Sequence, residues 1–432
     1  MKPHETDPLP TRRRFLETTG LLGASLALGT PPAFARPDPA SERVRVAVLG
    51  LGRGMDHVKA YLQLSNVELV AVCDTDERRM AAAVETAGKA GQSPRTVGDF
   101  RKLLADPSVD AVSIAMPNFW HAPATILACA AGKHVYVEKP GSHNALEGEL
   151  MVAAARKHRR KVQMGNQRRS QPEIRDAIGL LGSGEIGKVR FARCWYDSNR
   201  GTIGHGKPVP VPSWLNYDLW QGPIPDRVYV DNLVHYNWHW RWHWGGGELA
   251  NNGIHALDIA RWGLDARFPL RVSVTGGRYH FDDDQETPDT TMAAFDLGSA
   301  GVTWDASSCL SRKEEKHPFV AFYGDRGVLA LDTGAGYRIF DLEGREVKSV
   351  SGTFSDLPHF RNFIESIRND APLNSEIAEA QISTRWCHIG NIAYRTHTEV
   401  AVDSITGRIV RPSRDMERLW TRAYRSGWEP KV

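Results

Sequence analysis

The chain has 432 residues, of which 41% are apolar and 24% charged, a globular composition long enough for two or three domains. With 54 basic against 51 acidic residues its net charge is +3, which argues against nucleic acid or an anionic membrane as a partner. No run of about eighteen apolar residues occurs, so no spanning helix is expected, and five scattered cysteines without CxxC spacing argue against a zinc site or a disulfide framework built on them.

Residues 1–35 read as an address. Thr11-Arg12-Arg13-Arg14-Phe15-Leu16 resembles a bacterial twin-arginine signal, a mildly apolar stretch runs from Gly20 to Gly29, and Ala33-Phe34-Ala35 has the form of a cleavage site. The expectation is a periplasmic or otherwise extracytoplasmic mature protein.

From residue 43 to 165 strands alternate with helix-length segments. Apolar, β-branched runs at Val44–Leu49, Val67–Cys73, Val109–Met116, His134–Val137 and Lys161–Met164 are separated by helical patterns near His57–Leu64, Arg78–Gly91, His121–Ala131 and Ala145–Arg159. That order predicts an α/β fold with a doubly wound parallel sheet. Gly50-Leu51-Gly52-Arg53-Gly54 lies between the first strand and the first helix, where glycines let the backbone approach a pyrophosphate at a helix N-terminus. Asp74 ends the second strand, 24 residues after Gly50, where an acid accepts hydrogen bonds from an adenosine ribose and repels a 2′-phosphate. NAD is therefore expected over NADP. The third glycine of the pattern is displaced, because Met55 stands in its place and Gly54 precedes it. A turn in a cofactor-free domain is the alternative.

Further along come Pro117-Asn118-Phe119-Trp120-His121, Glu138-Lys139-Pro140, and Gly245-Gly246-Gly247-Glu248-Leu249-Ala250-Asn251-Asn252-Gly253-Ile254-His255. In that order the three motifs resemble the Gfo/Idh/MocA superfamily (glucose–fructose oxidoreductase, inositol dehydrogenase, rhizopine catabolism), over roughly residues 43–400. The resemblance implies a Rossmann domain, residues 43–165, followed by a substrate-binding and oligomerisation domain, residues 166–432, built on an open, mainly antiparallel sheet. It also implies a homo-oligomer. Lys139 would hydrogen-bond the reacting hydroxyl, and His255 would be its general base. Glu138 and Pro140 would shape the nicotinamide pocket, and Pro117, Asn118 and His121 would line the cofactor. Many dehydrogenases of the family have an Asp four residues before the histidine. Asn251 stands there instead, able to orient an imidazole or bind a hydroxyl but not to relay a proton.

In His235–Trp244, tryptophans alternate with polar residues, which predicts an extended segment with an indole face and a polar face. The indoles fit either a sugar or a core. A metal held by His239 and His243 is the weaker alternative. Tyr236, Trp238, Asn251, Gln167 and Arg168 are the substrate candidates. In Pro212–Pro223 either Tyr217 or Asp218 could face substrate, although a structural loop fits as well. Leu270–Asp341 reads as the second sheet with Asp282-Asp283-Asp284 as a solvated turn, and Phe360–Ile367 and Ile377–Tyr394 as helices. His388, in the second of these, reads as a buried, hydrogen-bonded residue. The tail beyond Val400 carries no motif.

The function these features point to is an NAD-dependent oxidoreductase acting on a hydroxyl of a sugar, polyol or glycoside. Free nicotinamide nucleotide is scarce outside the cytoplasm, so an exported enzyme would keep its cofactor bound. Two alternatives remain: a glycosidase that oxidises its substrate transiently, and a non-catalytic sugar-binding relative. Glycosidases resembling this superfamily typically lack the lysine of Glu-Lys-Pro.

Overall fold

The computed structural model describes residues 43–432; the expected signal at residues 1–35 lies outside them. Six parallel strands form the first sheet: β1 (Val44–Leu49), β2 (Val67–Cys73), β3 (Arg95–Val97), β4 (Ala111–Ile114), β5 (His134–Val137) and β6 (Val162–Met164), in the order β3-β2-β1-β4-β5-β6. Helices α1 (Gly54–Tyr61), α2 (Glu77–Lys89), α3 (Arg101–Leu104), α4 (Asn118–Ala130) and α5 (Ala145–Lys157) connect them. β1 and β4 are buried on both faces, as an apolar central strand between two helical layers must be. Leu49 pairs with both Cys73 and Ile114, Ile114 with Val137, and Val137 with Met164. The strands therefore end level, and the loops beginning at Gly50, Asp74, Ala115, Glu138 and Gly165 meet along one edge. Ligands bind at this edge of an open α/β sheet.

After α6 (Pro172–Gly182) come β7 (Val189–Asp197), α7 (Tyr217–Gln221) and α8 (Ile254–Gly263). Then follow β8 (Arg271–Gly277), β9 (Thr290–Asp296), β10 (Gly301–Ser307), β11 (Val320–Gly324), β12 (Val328–Leu331), β13 (Tyr337–Phe340) and β14 (Glu346–Val350). Helices α9 (Leu357–Asn369) and α10 (Ile377–Thr396), the short β15 (Val400–Ala401) and α11 (Arg414–Trp420) complete the chain. The second sheet has nine strands, ordered β14-β13-β12-β11-β7-β10-β9-β8-β15, antiparallel except for the β7–β10 pair. Its inner face packs on α8 and α10, and burial alternates along β9 accordingly: Thr291, Ala293 and Phe295 are buried while Met292 faces out.

Two expectations fail in this half. Residues 235–244 are not extended: they form turns and a 3-10 turn, Asn237–Trp240. The compact turn still buries Trp238, Trp240 and Trp244, with Trp238 and Trp244 in the one large core cluster. Gly245 lets it close, since a Cβ there would sit 2.3 Å from the His239 carbonyl oxygen. Nor is Asp282-Asp283-Asp284 a solvated turn. Asp283 bonds Thr202 and Arg278, and Asp284 bonds Asn232 and Arg241, which ties this loop to the aromatic segment.

Candidate active site

The level edge of the first sheet and the second half of the chain enclose a cleft of about 880 Å³. At one end Gly50 has φ of +82°, and a Cβ there would lie 2.7 Å from Ala115 O and Met116 N, so only glycine fits. Asp74 accepts the Leu51 N–H at 2.6 Å and the Asp76 N–H at 2.9 Å, and burial raises its pKa despite those bonds. Arg79 lies over the turn, within 2.9 Å of where a Gly52 Cβ would stand. A glycine-rich turn at the N-terminus of α1, with an acid and a guanidinium beside it, fits the adenosine and pyrophosphate of a dinucleotide. Gly54 packs on Val48 instead of lining the cleft, because it is already the first residue of α1.

Lys139 stands at the far end. Its Nζ donates to the Asn251 carbonyl oxygen at 2.8 Å and to Asn251 Oδ1 at 3.0 Å. Asn251 sits in a π-helical turn, Leu249–Gly253, that runs into α8; such turns recur at functional sites. Burial lowers the Lys139 pKa, only partly opposed by Glu138. Glu138 is itself buried and bonded by His57 at 3.1 Å and Gln167 at 2.7 Å. Burial alone would raise its pKa, but the His57 bond and the charges of Arg53 and Lys139 hold it well below the carboxylate range. Gln167 thus supports Glu138. Arg53 is divided among Asp56, Asp356 and Glu138. Both ring nitrogens of His121 meet carbonyl oxygens, of Pro140 at 2.6 Å and Met116 at 2.7 Å, which ties α4 to the lysine loop. Asn118 and Pro117 line the cleft beside it. Pro140 does not, because its carbonyl turns to His121.

Of the four imidazoles lining the cleft, His121 is held by two carbonyl oxygens and His235 by Asp76, which leaves His255 and His239 beside Lys139. His255 is held well below its usual pKa by burial and then by the positive Lys139 and Arg168, and its Nδ1 is buried without a partner. Asn251 does not orient it, since that amide oxygen serves Lys139. His239 stacks on Trp238 with ring centroids 3.6 Å apart. Its Nδ1 lies 2.6 Å from the Tyr236 carbonyl oxygen, which can only accept, so Nδ1 carries the proton and Nε2 the lone pair. Burial, with smaller contributions from Lys139 and Arg200, brings its pKa down to about 3. His243 turns away to the Pro225 carbonyl, and among the described residues no group of three His, Cys, Asp or Glu could hold a metal ion.

The Tyr236 hydroxyl accepts from Arg200, and the Trp238 indole N–H is taken by the His235 carbonyl, so Trp238 presents ring surface only. Tyr217 is buried and Asp218 pairs with Arg425, whereas their neighbours Leu219 and Trp220 reach the cleft. His388 is buried against Ser142. Sequence reasoning missed Arg79, Arg200, His239, Phe354 and Trp428 as lining residues. Only His239, next to an aromatic candidate, carried a local signal.

A dinucleotide groove running onto a lysine and two neutral imidazoles is the arrangement of a nucleotide-dependent oxidoreductase. Residues 44–166 match the NAD-binding Rossmann fold of an oxidoreductase family, and residues 194–430 match its C-terminal alpha/beta domain. The chain belongs to this Gfo/Idh/MocA family, and NAD is its cofactor. Among relatives, it is 30% identical over 253 residues to a glycosyl hydrolase family 109 protein of Saccharopolyspora erythraea, covering 51% of this chain and 55% of that protein. It is 30% identical over 209 residues to an alpha-N-acetylgalactosaminidase of Shewanella oneidensis, covering 43% and 45%. The chain thus spans about half the length of the curated relatives it matches. In fold it resembles the aldose-aldose oxidoreductase of Caulobacter crescentus complexed with glycerol (TM-score 0.66, 19% identity, 84% of this chain and 100% of that one). It also resembles the WlbA dehydrogenase of Bordetella pertussis in complex with NADH and UDP-GlcNAcA (TM-score 0.64, 19% identity, 84% and 99%).

Proposed function

We propose that the protein oxidises a hydroxyl-bearing carbon of a sugar, polyol or glycoside, using NAD. The observation that carries this reading is Lys139, whose ammonium group is anchored on Asn251 in the same cleft as the nucleotide turn and two neutral imidazoles. When bound, NAD accepts the hydride. Lys139 holds the substrate oxygen through an N–H, and an imidazole takes the hydroxyl proton. His255 is the imidazole that the family resemblance implies; His239 is the one whose acceptor nitrogen is already set. Replacing each by Gln separates them. The base loses about 10²–10⁴ in kcat, and a smaller loss marks the other as a binding group.

The glycosidase relatives favour a second reading in which oxidation acidifies a neighbouring C–H, elimination breaks the glycosidic bond, and the hydride returns. One experiment decides between the two. The bound nucleotide is released and identified, then sugars and aryl glycosides are screened for reduced nicotinamide and for cleavage. Aryl-glycoside cleavage without net reduction would sink the simple dehydrogenase.

We further propose that Arg12-Arg13 directs export, and that the open face of the second sheet, where Met292 and Tyr323 are exposed, pairs with a second copy. Fractionation of an Arg12→Lys, Arg13→Lys variant and a light-scattering mass test these proposals; a normally exported variant and a monomer would refute them.

A further inference from the structure

Every acid lining the cleft near Lys139 is already neutralised. Glu138 has His57, Gln167 and Arg53. Glu248, adjoining the cleft, pairs with Arg200 at 2.7 Å and Asn252 at 2.6 Å, and the other Arg200 nitrogens are taken by Tyr236 and Tyr196. The cations are not balanced in the same way. Lys139 meets only amide oxygens. Arg168, on the 3-10 turn Gln167–Ser170 after β6, has its guanidinium carbon 4.2 Å from the Phe319 ring centre and 5.1 Å from that of Phe354. Its Nη2 donates to the Thr333 carbonyl oxygen at 3.0 Å, while its Nη1 is buried with no partner. Burial brings its pKa down to about 10, and only Asp332 opposes that.

A buried guanidinium nitrogen with an unmade charge-assisted bond is costly. That cost is recovered when an anion arrives. We propose that Arg168 is an anion subsite of the substrate pocket and that the substrate is a sugar acid, its carboxylate held on the free edge of Arg168 while Lys139 holds the hydroxyl to be oxidised. The choice of a sugar scaffold rests on the function proposed above; the anion subsite rests on Arg168 itself. Both Nη1 hydrogens and one Nη2 hydrogen of this planar group are without a protein acceptor. That suits the two oxygens of a carboxylate better than the tetrahedral array of a phosphate or sulfate.

The test titrates the purified holoprotein with glucuronate, galacturonate and gluconate, each against its neutral counterpart glucose, galactose or glucitol, and with glucose 6-phosphate. Binding is followed by tryptophan fluorescence. An acid should bind at least about tenfold more tightly than its neutral partner. Arg168→Met should weaken the acid roughly ten- to hundredfold, and Arg168→Lys, which keeps the charge without the fork, should fall between. The subsite is overturned by equal binding of acid and neutral sugar, by no binding of any acid, by preference for the phosphate, or by full acid affinity in Arg168→Met with an unchanged melting profile. Nicotinamide absorbance is read in parallel. An acid that binds through Arg168 without being oxidised refutes the oxidoreductase reading and leaves the subsite standing. Sugar acids oxidised by Arg168→Met with an unchanged KM do the reverse.

Discussion

Lys139 owes its placement to a residue 112 positions away. A half-buried ammonium group just after β5 has one hydrogen-bonding neighbour, Asn251, which offers it two neutral oxygens. A carboxylate at that position would bring an opposite charge about 3 Å from Nζ and favour the protonated lysine. Asn251→Asp should therefore raise the Lys139 pKa against the present depression by burial, moving the Lys139-dependent limb of the kcat–pH profile to higher pH by about one to three units. A profile that stays in place would show that the two residues are not coupled in the working enzyme. Asn251→Ala removes one of the two anchors, and a small loss of aim should lower kcat by up to about a hundredfold. Lys139→Met should lower kcat by about 10²–10⁴ while the protein purifies with its nucleotide, since the turn at Gly50 and Asp74 is untouched. Loss of nucleotide in that variant would reassign Lys139 to cofactor binding.

At the scale of elements, the C-terminal tail acquires a role that its sequence hides. After α11, Arg422 pairs with buried Glu147 at 2.6 Å and donates to the Phe119 carbonyl oxygen at 2.8 Å, and Tyr424 donates to Glu147 at 2.8 Å. These bonds bring Trp428 to the cleft wall, edge-on to Trp120 with ring centroids 5.2 Å apart. Trp428→Ala should speed nucleotide release about tenfold, the loss of one aromatic contact, measured as nucleotide retained through successive gel filtrations. Unchanged retention would make the tail purely structural. The parallel sheet, the glycine turn and the Asp74 position were legible because each is a local constraint: a β-branched run, a required positive φ, an acid at a strand end. β3 was not, since three residues at an exposed edge leave no periodicity. The aromatic segment misled because a compact turn buries alternate indoles as a strand does, and the closure at Gly245 that distinguishes the two is a tertiary fact. Arg168 was legible as a substrate candidate, but its missing partner was not.

At the scale of the molecule, the second half of the chain is tied to the first through buried polar groups: an ion pair charged in spite of burial, and two imidazoles that burial keeps neutral. Arg169 and Asp258 form a two-pronged ion pair at 2.7 and 2.8 Å between the turn after β6 and α8. His359 of α9 reaches Met164 O at 2.8 Å and Ser170 Oγ at 2.6 Å, and His388 of α10 reaches Ser142 Oγ at 3.1 Å. Burial lowers His359 to about 4 and His388 to about 3, against 6.5 for an unperturbed imidazole. An unfolded chain therefore takes up protons below pH 6.5 that the native protein refuses. The stability these residues contribute is complete above that pH and is lost as pH falls through the window toward 4 and then 3. Each should remove about 1.4 kcal/mol per pH unit once well inside the window. Urea midpoints measured from pH 7.5 to 4.5 should fall accordingly, and His359→Gln, although less stable at neutral pH, should flatten the slope by one such increment. The same slope in both proteins would mean that His359 is protonated in the native state and that the second half is held to the first by charge at this position, against the neutral contact described above.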